Sequence, residues 1–310
     1  MDQLLRTVFR AWSAALLGGL LLISCGKTQE SGPKLSKSSE RRLGDTLTFT
    51  VVPYEAAEKL HDEYLPMARY LAKQVGCKDG RFISVVDYAG VLAALETGDV
   101  DVAYLSPFPY VLATGRMKHP PIPLAMPWVK GSLLYRGIIF VRKDSAIRTL
   151  EDLRGKTFAF GDVTSTTGYL LPRAMLERKG IFQSLKWRNA GNANMVVKAV
   201  ENGAADAGAA YENVFEVVYR DEPSKADLMR VIATTAAIPN GVYVARADLP
   251  RETVEKLRAA FLKMNTDPEG REAMLKAPND RIVPPDDKLF DPVRETAKTL
   301  RLDLEALEKR

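Results

Sequence analysis

Apolar and polar residues alternate through TLTFTVV (46–52), and the chain then changes to a 3.6-residue period between Glu55 and Val75, where Leu60, Tyr64, Met67 and Leu71 fall on one face. The first pattern predicts a strand and the second an amphipathic helix. The same pair of patterns recurs. RFISVV reads as a strand, YAGVLAALETG contains a helix, VDVAYL is a strand, and Ser106 and Pro107 open a helix in SPFPYVLATG, with Ser106 as its cap. Strands alternating with helices predict an α/β fold on mostly parallel sheets, whose ligands sit at the carboxyl ends of the strands.

SLLYRGIIFVRKDS is long enough to leave this first sheet, and the alternation restarts after it. KTFAFG predicts a strand, YLLPRAMLERKGI a helix, ADAGAAY and LMRVIATTA further strands, and IPNGVYVARADL a strand returning to the first unit. The expected organisation is therefore one lobe from 46–143 and 240–310 with a second lobe, 144–239, inserted in it. Two crossover strands join the lobes, and a cleft between lobes is a favoured ligand site.

Where KTFAFG ends, the chain reads DVTSTTGYLLP, placing Ser165, Thr166 and Thr167 at the N-terminus of the next helix. Unpaired backbone N–H groups there either take a side-chain cap or hold an anion. One hydroxyl suffices for a cap, so the cluster exceeds that need, and spacing alone leaves both readings standing. Tyr54, after the first strand, and Ser106, at a helix start, face the same choice between packing or capping and the cleft.

The N-terminus changes the picture of location. Arg6 and Arg10 precede AWSAALLGGLLLIS, which ends at Cys25. A basic start, an apolar run of this length and small residues before a cysteine predict a secretory signal, 1–24, and a lipid-modified Cys25; the alternative is an ordinary signal with an incidental cysteine. Polar, aperiodic residues then predict a flexible tether over 25–45. Gly26 stands where an aspartate favours inner-membrane retention, so a Gram-negative source implies the outer membrane, and otherwise the external face of the plasma membrane. The net charge of +5 suits an anionic ligand or a membrane surface, and no basic stripe interleaved with aromatics points to nucleic acid. The two histidines, His61 and His119, and two cysteines lack metal-ligand spacing, so neither a metal nor another cofactor is expected.

Four segments, in order, carry a resemblance: DYAGVLAALETGDVDVAYLSPFPYVLA, YRGIIFVRKDSAIRTLEDLRGKTFAFGDVTSTTGYLLP, AVENGAADAGAAYENVFE and AAIPNGVYVARADLP. From about Thr48 to Ala277 the chain resembles the phosphonate-binding subunit family of ABC importers. The resemblance implies a two-lobed, type II periplasmic binding protein that closes on phosphonate, phosphite or phosphate, works with an ABC permease and ATPase, is monomeric and is not an enzyme. A sensory module reporting a related oxyanion to a receptor or kinase would share the same lobes.

Carried over by motif, the implied anion site comprises Tyr88 of DYAG, Tyr135, and Ser165, Thr166 and Thr167. Glu212 of YEN matches one acid that holds the amine of aminophosphonates. Two departures accompany these matches. Ala193 replaces a histidine, which leaves Asn192 or Asn194 as substitute donors, and Gly241 or Asn240 stands where a second acid is expected. A buried ammonium with half its charge partners is costly, so phosphate, phosphite or a simple alkylphosphonate is expected over an aminophosphonate.

Overall fold

The computed structural model describes residues 42–300. The signal peptide, Cys25 and nearly all of the expected tether lie outside the described residues. In chain order, the first elements are β1 (Thr46–Val51), α1 (Ala57–Val75), β2 (Asp79–Phe82), α2 (Tyr88–Thr97), β3 (Val102–Leu105), α3 (Pro107–Arg116) and β4 (Ile122–Trp128). A short β5 (Leu134–Tyr135) leads to β6 (Gly137–Arg142), followed by β7 (Thr157–Phe160), α4 (Leu171–Arg178), β8 (Lys186–Asn189), α5 (Ala193–Glu201), β9 (Ala207–Tyr211), α6 (Val214–Val218) and β10 (Met229–Thr234). The return runs through β11 (Ile238–Pro239), β12 (Val242–Ala245), α7 (Arg251–Lys263), α8 (Pro268–Lys276), β13 (Arg281–Val283) and α9 (Asp291–Leu300).

These strands form a six-stranded sheet, β13-β4-β12-β3-β1-β2, and a five-stranded sheet, β10-β6-β9-β7-β8. In the first, β1 to β4 share one direction and the returning β12 and β13 oppose them. In the second, β7 to β10 share a direction and the entering β6 opposes them. Both β6, which enters the second sheet, and β12, which returns to the first, thus run against the main direction of their sheets. Each sheet is covered on both faces. α1, α7 and α8 bury Leu60, Leu71, Leu257 and Phe261 on one side of the first sheet, and α2 and α3 bury Val91 and Tyr110 on the other. α4 and α5 flank the second sheet in the same way, through Leu171 and Leu176 and through Val196, Val197 and Val200.

Periodicity located α1 well: Leu60, Tyr64, Met67 and Leu71 are all buried, and Gly76 stops the helix at φ +85°. It did not locate β4, whose Pro123 and Pro127 argue against a strand that is paired on both sides. β4 nevertheless lies between β12 and β13. The long SLLYRGIIFVRKDS strand is broken at Arg136 into β5 and β6. β5 pairs with β11, Tyr135 opposite Ile238, so the two crossings form a small sheet of their own. The C-terminal α9, expected with the first lobe, buries Val293 with Leu170, Leu171 and Phe160 of the second lobe, in a cluster that Phe108 and Leu112 of α3 also join.

One local device occurs in both lobes. The Asp101 carboxylate accepts from Thr48 N and Oγ1 at 2.9 and 2.8 Å, and Asp206 accepts from Thr157 N and Oγ1 at 2.8 and 2.6 Å. Each aspartate N–H donates back to the threonine hydroxyl. The segments involved, GDVDVAYL and GAADAGAAY, read as two versions of one turn and strand. In the first lobe Asp101 also holds Arg246, whose side chain is 2% exposed.

Candidate functional site

Three helix starts meet at one place. Asp87 caps α2 by accepting from Gly90 N at 2.7 Å, which sets Tyr88 on the first turn. α3 begins after β3 at Ser106. The hydroxyl cluster enters α4 through a π-helical turn, Thr166–Leu170, capped by Ser165 Oγ, which accepts from Gly168 N at 3.1 Å. Gly161 and Gly168 permit this tight entry. A Cβ on Gly168 would stand 2.8 Å from Ser165 Oγ and 3.2 Å from Gly161 Cα.

These starts border a cavity of about 220 Å³. Of the residues singled out in the sequence, Tyr54, Tyr88, Ser106, Tyr135, Ser165, Thr166 and Thr167 line it. Their hydroxyls lie close together, Tyr88 beside Ser165 and Tyr135 beside Thr167 and Thr166. Thr164, the remaining hydroxyl of the cluster, turns away to the Asp162 carboxylate, 2.6 Å from its Oγ1. Burial pushes the phenols of Tyr88 and Tyr135 well above the usual tyrosine range, so both remain protonated O–H donors. Among the described residues no aspartate, glutamate or arginine lines the cavity, and Lys130 is the charged group that does. Lys130 pairs with Glu216 of α6. Neutral O–H and N–H donors at helix N-termini can hold an oxyanion without losing a proton.

Ser106 differs from its expected role. It makes no side-chain cap, and its hydroxyl is buried without a hydrogen-bond partner. Thr166 Oγ1, from the second lobe, accepts the Phe108 N–H at 2.8 Å instead. The cap arrives from across the cleft, and Ser106 is left facing the cavity.

Glu212, Asn192 and Asn194 stand outside the lining. Glu212 is exposed, and its Oε1 accepts from Arg136 N at 3.1 Å, because strand alternation at the end of β9 turns Tyr211 inward and Glu212 toward the crossing. Asn192 caps α5 by accepting from Met195 N at 3.0 Å. Asn194 Oδ1 is buried without a partner, and Ala193, between the two, reaches the lining. Gly241 cannot be exchanged for an acid in this fold: its φ is +143°, and a Cβ would meet Leu105 O and Tyr104 Oη, each at 2.6 Å. Asn240 lines the cavity, but its amide donates to Ser132 O at 2.7 Å.

Sequence reasoning did not single out Tyr64, Tyr104, Lys130, Tyr211 or Asn279 for the site. All of them line the cavity. Tyr64 belongs to the buried face of α1, stacked on Phe49 at 5.9 Å, and its hydroxyl extends to Tyr54 Oη at 3.1 Å. A helix-face pattern marks such a residue as core and carries no sign that its polar tip reaches further. For Tyr211 a signal existed, since β alternation excludes the inward direction for one of Tyr211 and Glu212.

Residues 49–290 match the model of a family described as the ABC transporter, phosphonate, periplasmic substrate-binding protein. The chain is 28% identical over 261 residues to the phosphate-import protein PhnD of Mycolicibacterium smegmatis, covering 80% of each chain. It is 26% identical over 241 residues to the phosphonates-binding periplasmic protein of Escherichia coli, covering 76% of this chain and 71% of that one. In three dimensions it superposes on PhnD1 of Prochlorococcus marinus, solved in complex with methylphosphonate, with a TM-score of 0.75 at 19% identity, over 83% of this chain and 98% of that one. That likeness establishes the two-lobed, type II binding-protein fold.

Proposed function

Because the chain belongs to the phosphonate family of periplasmic substrate-binding proteins of ABC transporters, we propose that it captures a phosphorus oxyanion between its lobes and delivers it to a permease and ATPase, binding without turnover. The observation that carries this reading is the convergence of the α2, α3 and α4 starts, with Tyr88, Ser106, Tyr135 and Ser165 to Thr167, on a cavity that no carboxylate or arginine among the described residues lines. Each hydrogen bond to a charged group contributes roughly 1.5 to 3 kcal/mol. Several of them, less desolvation and closure, support binding at about micromolar strength, near −8 kcal/mol.

The ligand in this reading is phosphate, phosphite or a phosphonate without an amine, since neither Glu212 nor position 241 offers an acid to the cavity. Relatives named for phosphate import and for phosphonates support the class. Attachment in this reading is through lipid on Cys25, and the protein acts as a monomer. Among the described residues no helix is long and apolar enough to cross a membrane.

A thermal-shift titration with phosphate, phosphite, methylphosphonate, 2-aminoethylphosphonate and sulfate tests the reading, because a ligand that binds only the folded state raises the melting temperature. A rise with at least one phosphorus anion and none with sulfate is expected. No rise with any phosphorus anion would overturn it. Labelled fatty acid supplied to expressing cells tests the anchor, with label expected in the wild type and absent from Cys25→Ser.

A further inference from the structure

Tyr211 ends β9 opposite Gly137 of the entering strand β6, at the edge of the second sheet that faces the cleft. Its ring lines the cavity, and its hydroxyl is buried without a hydrogen-bond partner. Burial, with Glu55 and Glu63 adding to it, pushes this phenol far above the usual tyrosine range, so it stays neutral and keeps a proton to donate. Three other phenols of the cavity are engaged: Tyr54 and Tyr64 share a hydrogen bond, and Tyr104 donates to Asn240 O at 2.6 Å. Tyr88 and Tyr135 stand beside the serine and threonine hydroxyls of the cluster, on the anion side.

Tyr211 lines the same cavity as Tyr88 of α2 and as the hydrogen-bonded pair Tyr54 and Tyr64. Glu55 and Glu63 lie outside the lining, and each has partners of its own. Glu55 accepts from Ala56 N at 3.0 Å and Lys59 Nζ at 3.3 Å, and Glu63 stands 3.9 Å from Arg220. A ligand amine beside Tyr211 would therefore find phenols and no free carboxylate, an unfavourable burial of charge.

We propose that Tyr211 determines specificity by hydrogen-bonding the organic end of the ligand, and that the class of ligand is a phosphorus oxyanion carrying a neutral, oxygen-bearing substituent such as a hydroxyalkyl group. This rests on the oxyanion reading above and extends it. The hydroxyl cluster holds the phosphorus oxygens, and Tyr211 pairs with the substituent oxygen. A site built to bond an oxygen discriminates against the analogue lacking it, because its own buried donor is then left unpaired.

Calorimetric titration of the purified protein with phosphate, phosphite, 2-hydroxyethylphosphonate, ethylphosphonate and 2-aminoethylphosphonate tests this. The wild type is expected to bind the hydroxyethyl compound about tenfold or more tighter than either the ethyl or the aminoethyl compound. In Tyr211→Phe, checked for folding by its melting curve, the hydroxyethyl-to-ethyl ratio is expected to fall to about one. Equal wild-type affinity for those two ligands overturns the inference while leaving the oxyanion reading intact, and needs no variant. An unchanged ratio in Tyr211→Phe, or a preference for the aminoethyl ligand, also overturns it. Failure of all three phosphonates to bind overturns the inference, and failure of phosphate and phosphite as well overturns both readings together.

Discussion

The Phe108 N–H, on the first turn of α3 in the first lobe, donates to Thr166 Oγ1 of the second lobe at 2.8 Å. A helix start in one lobe is thus capped by a side chain of the other, so this bond exists only while the lobes are together. Thr166 is 1% exposed, and the bond it accepts is shielded from water. Closure and the arrangement of the hydroxyl cluster are therefore coupled through one hydroxyl.

Thr166→Val keeps the shape of the side chain and removes that acceptor, leaving the Phe108 N–H buried and unpaired on closure. An unsatisfied buried donor costs about 1 to 3 kcal/mol, so anion affinity is expected to fall about tenfold or more. Thr166→Ser should restore most of it. Titration calorimetry of the two variants with the preferred phosphorus anion measures the difference, and equal affinity for valine and threonine would remove the coupling.

The duplicated threonine–aspartate device predicts an unequal response. Asp101 is 7% exposed and pairs with the buried Arg246, whereas Asp206 is exposed and its carboxylate holds Thr157 of β7 without a buried cation beside it. Removing one partner of a buried pair costs roughly 3 kcal/mol, even with Asp248 still beside Arg246. Asp101→Ala is therefore expected to lose about 3 kcal/mol and Asp206→Ala about 1 kcal/mol. Urea denaturation with both variants at one pH checks the order.

Asp162 gives a pH dependence. Burial raises its carboxyl above the ordinary 3.8, and Asp87 adds to this, while hydrogen bonds from Thr164 and from the Tyr88 N–H oppose it. The folded protein therefore keeps this proton to a higher pH than the unfolded chain does. Its contribution falls as pH rises from about 4 upward, and at neutral pH the ionised carboxylate is a cost. Asp162→Asn retains an acceptor for Thr164. Its melting temperature should gain progressively on the wild type as pH rises above 3.8 and match it below. A constant difference across that range would show that Asp162 is not the group involved.

Gly241→Asp places an acid at the position where the family resemblance implies one. With φ at +143° and Leu105 O 2.6 Å from any Cβ, it is expected to strain the return strand. Melting should drop by several degrees with no gain in affinity for 2-aminoethylphosphonate over ethylphosphonate. Increased selectivity for the amine would show that the backbone adapts there.

Much of the fold and part of the site was legible. Leu60, Tyr64, Met67 and Leu71 declare the buried face of α1, Gly76 declares its end, and the order of patterns from TLTFTVV to IPNGVYVARADL declares two lobes with a crossing between them. These are local properties, set by the 3.6- and 2-residue periods and by the backbone freedom of glycine. The hydroxyl cluster was visible for the same reason, because a strand end and a helix start flank it in sequence.

Tertiary structure decided what each of those groups meets. The sequence marks Ser106 as a cap, but Phe108 takes its acceptor from Thr166, 58 residues away, and Ser106 faces the cavity. Strand alternation requires Tyr211 and Glu212 to point apart, but only the packing of β9 beside β6 and β7 decides that the phenol enters the cleft. β4 is a strand despite two prolines because β12 and β13 close on it from both sides. In each case the deciding partner is distant in the chain. Periodicity fixes which residues share a face, and only the folded chain brings up the surface that the face will meet.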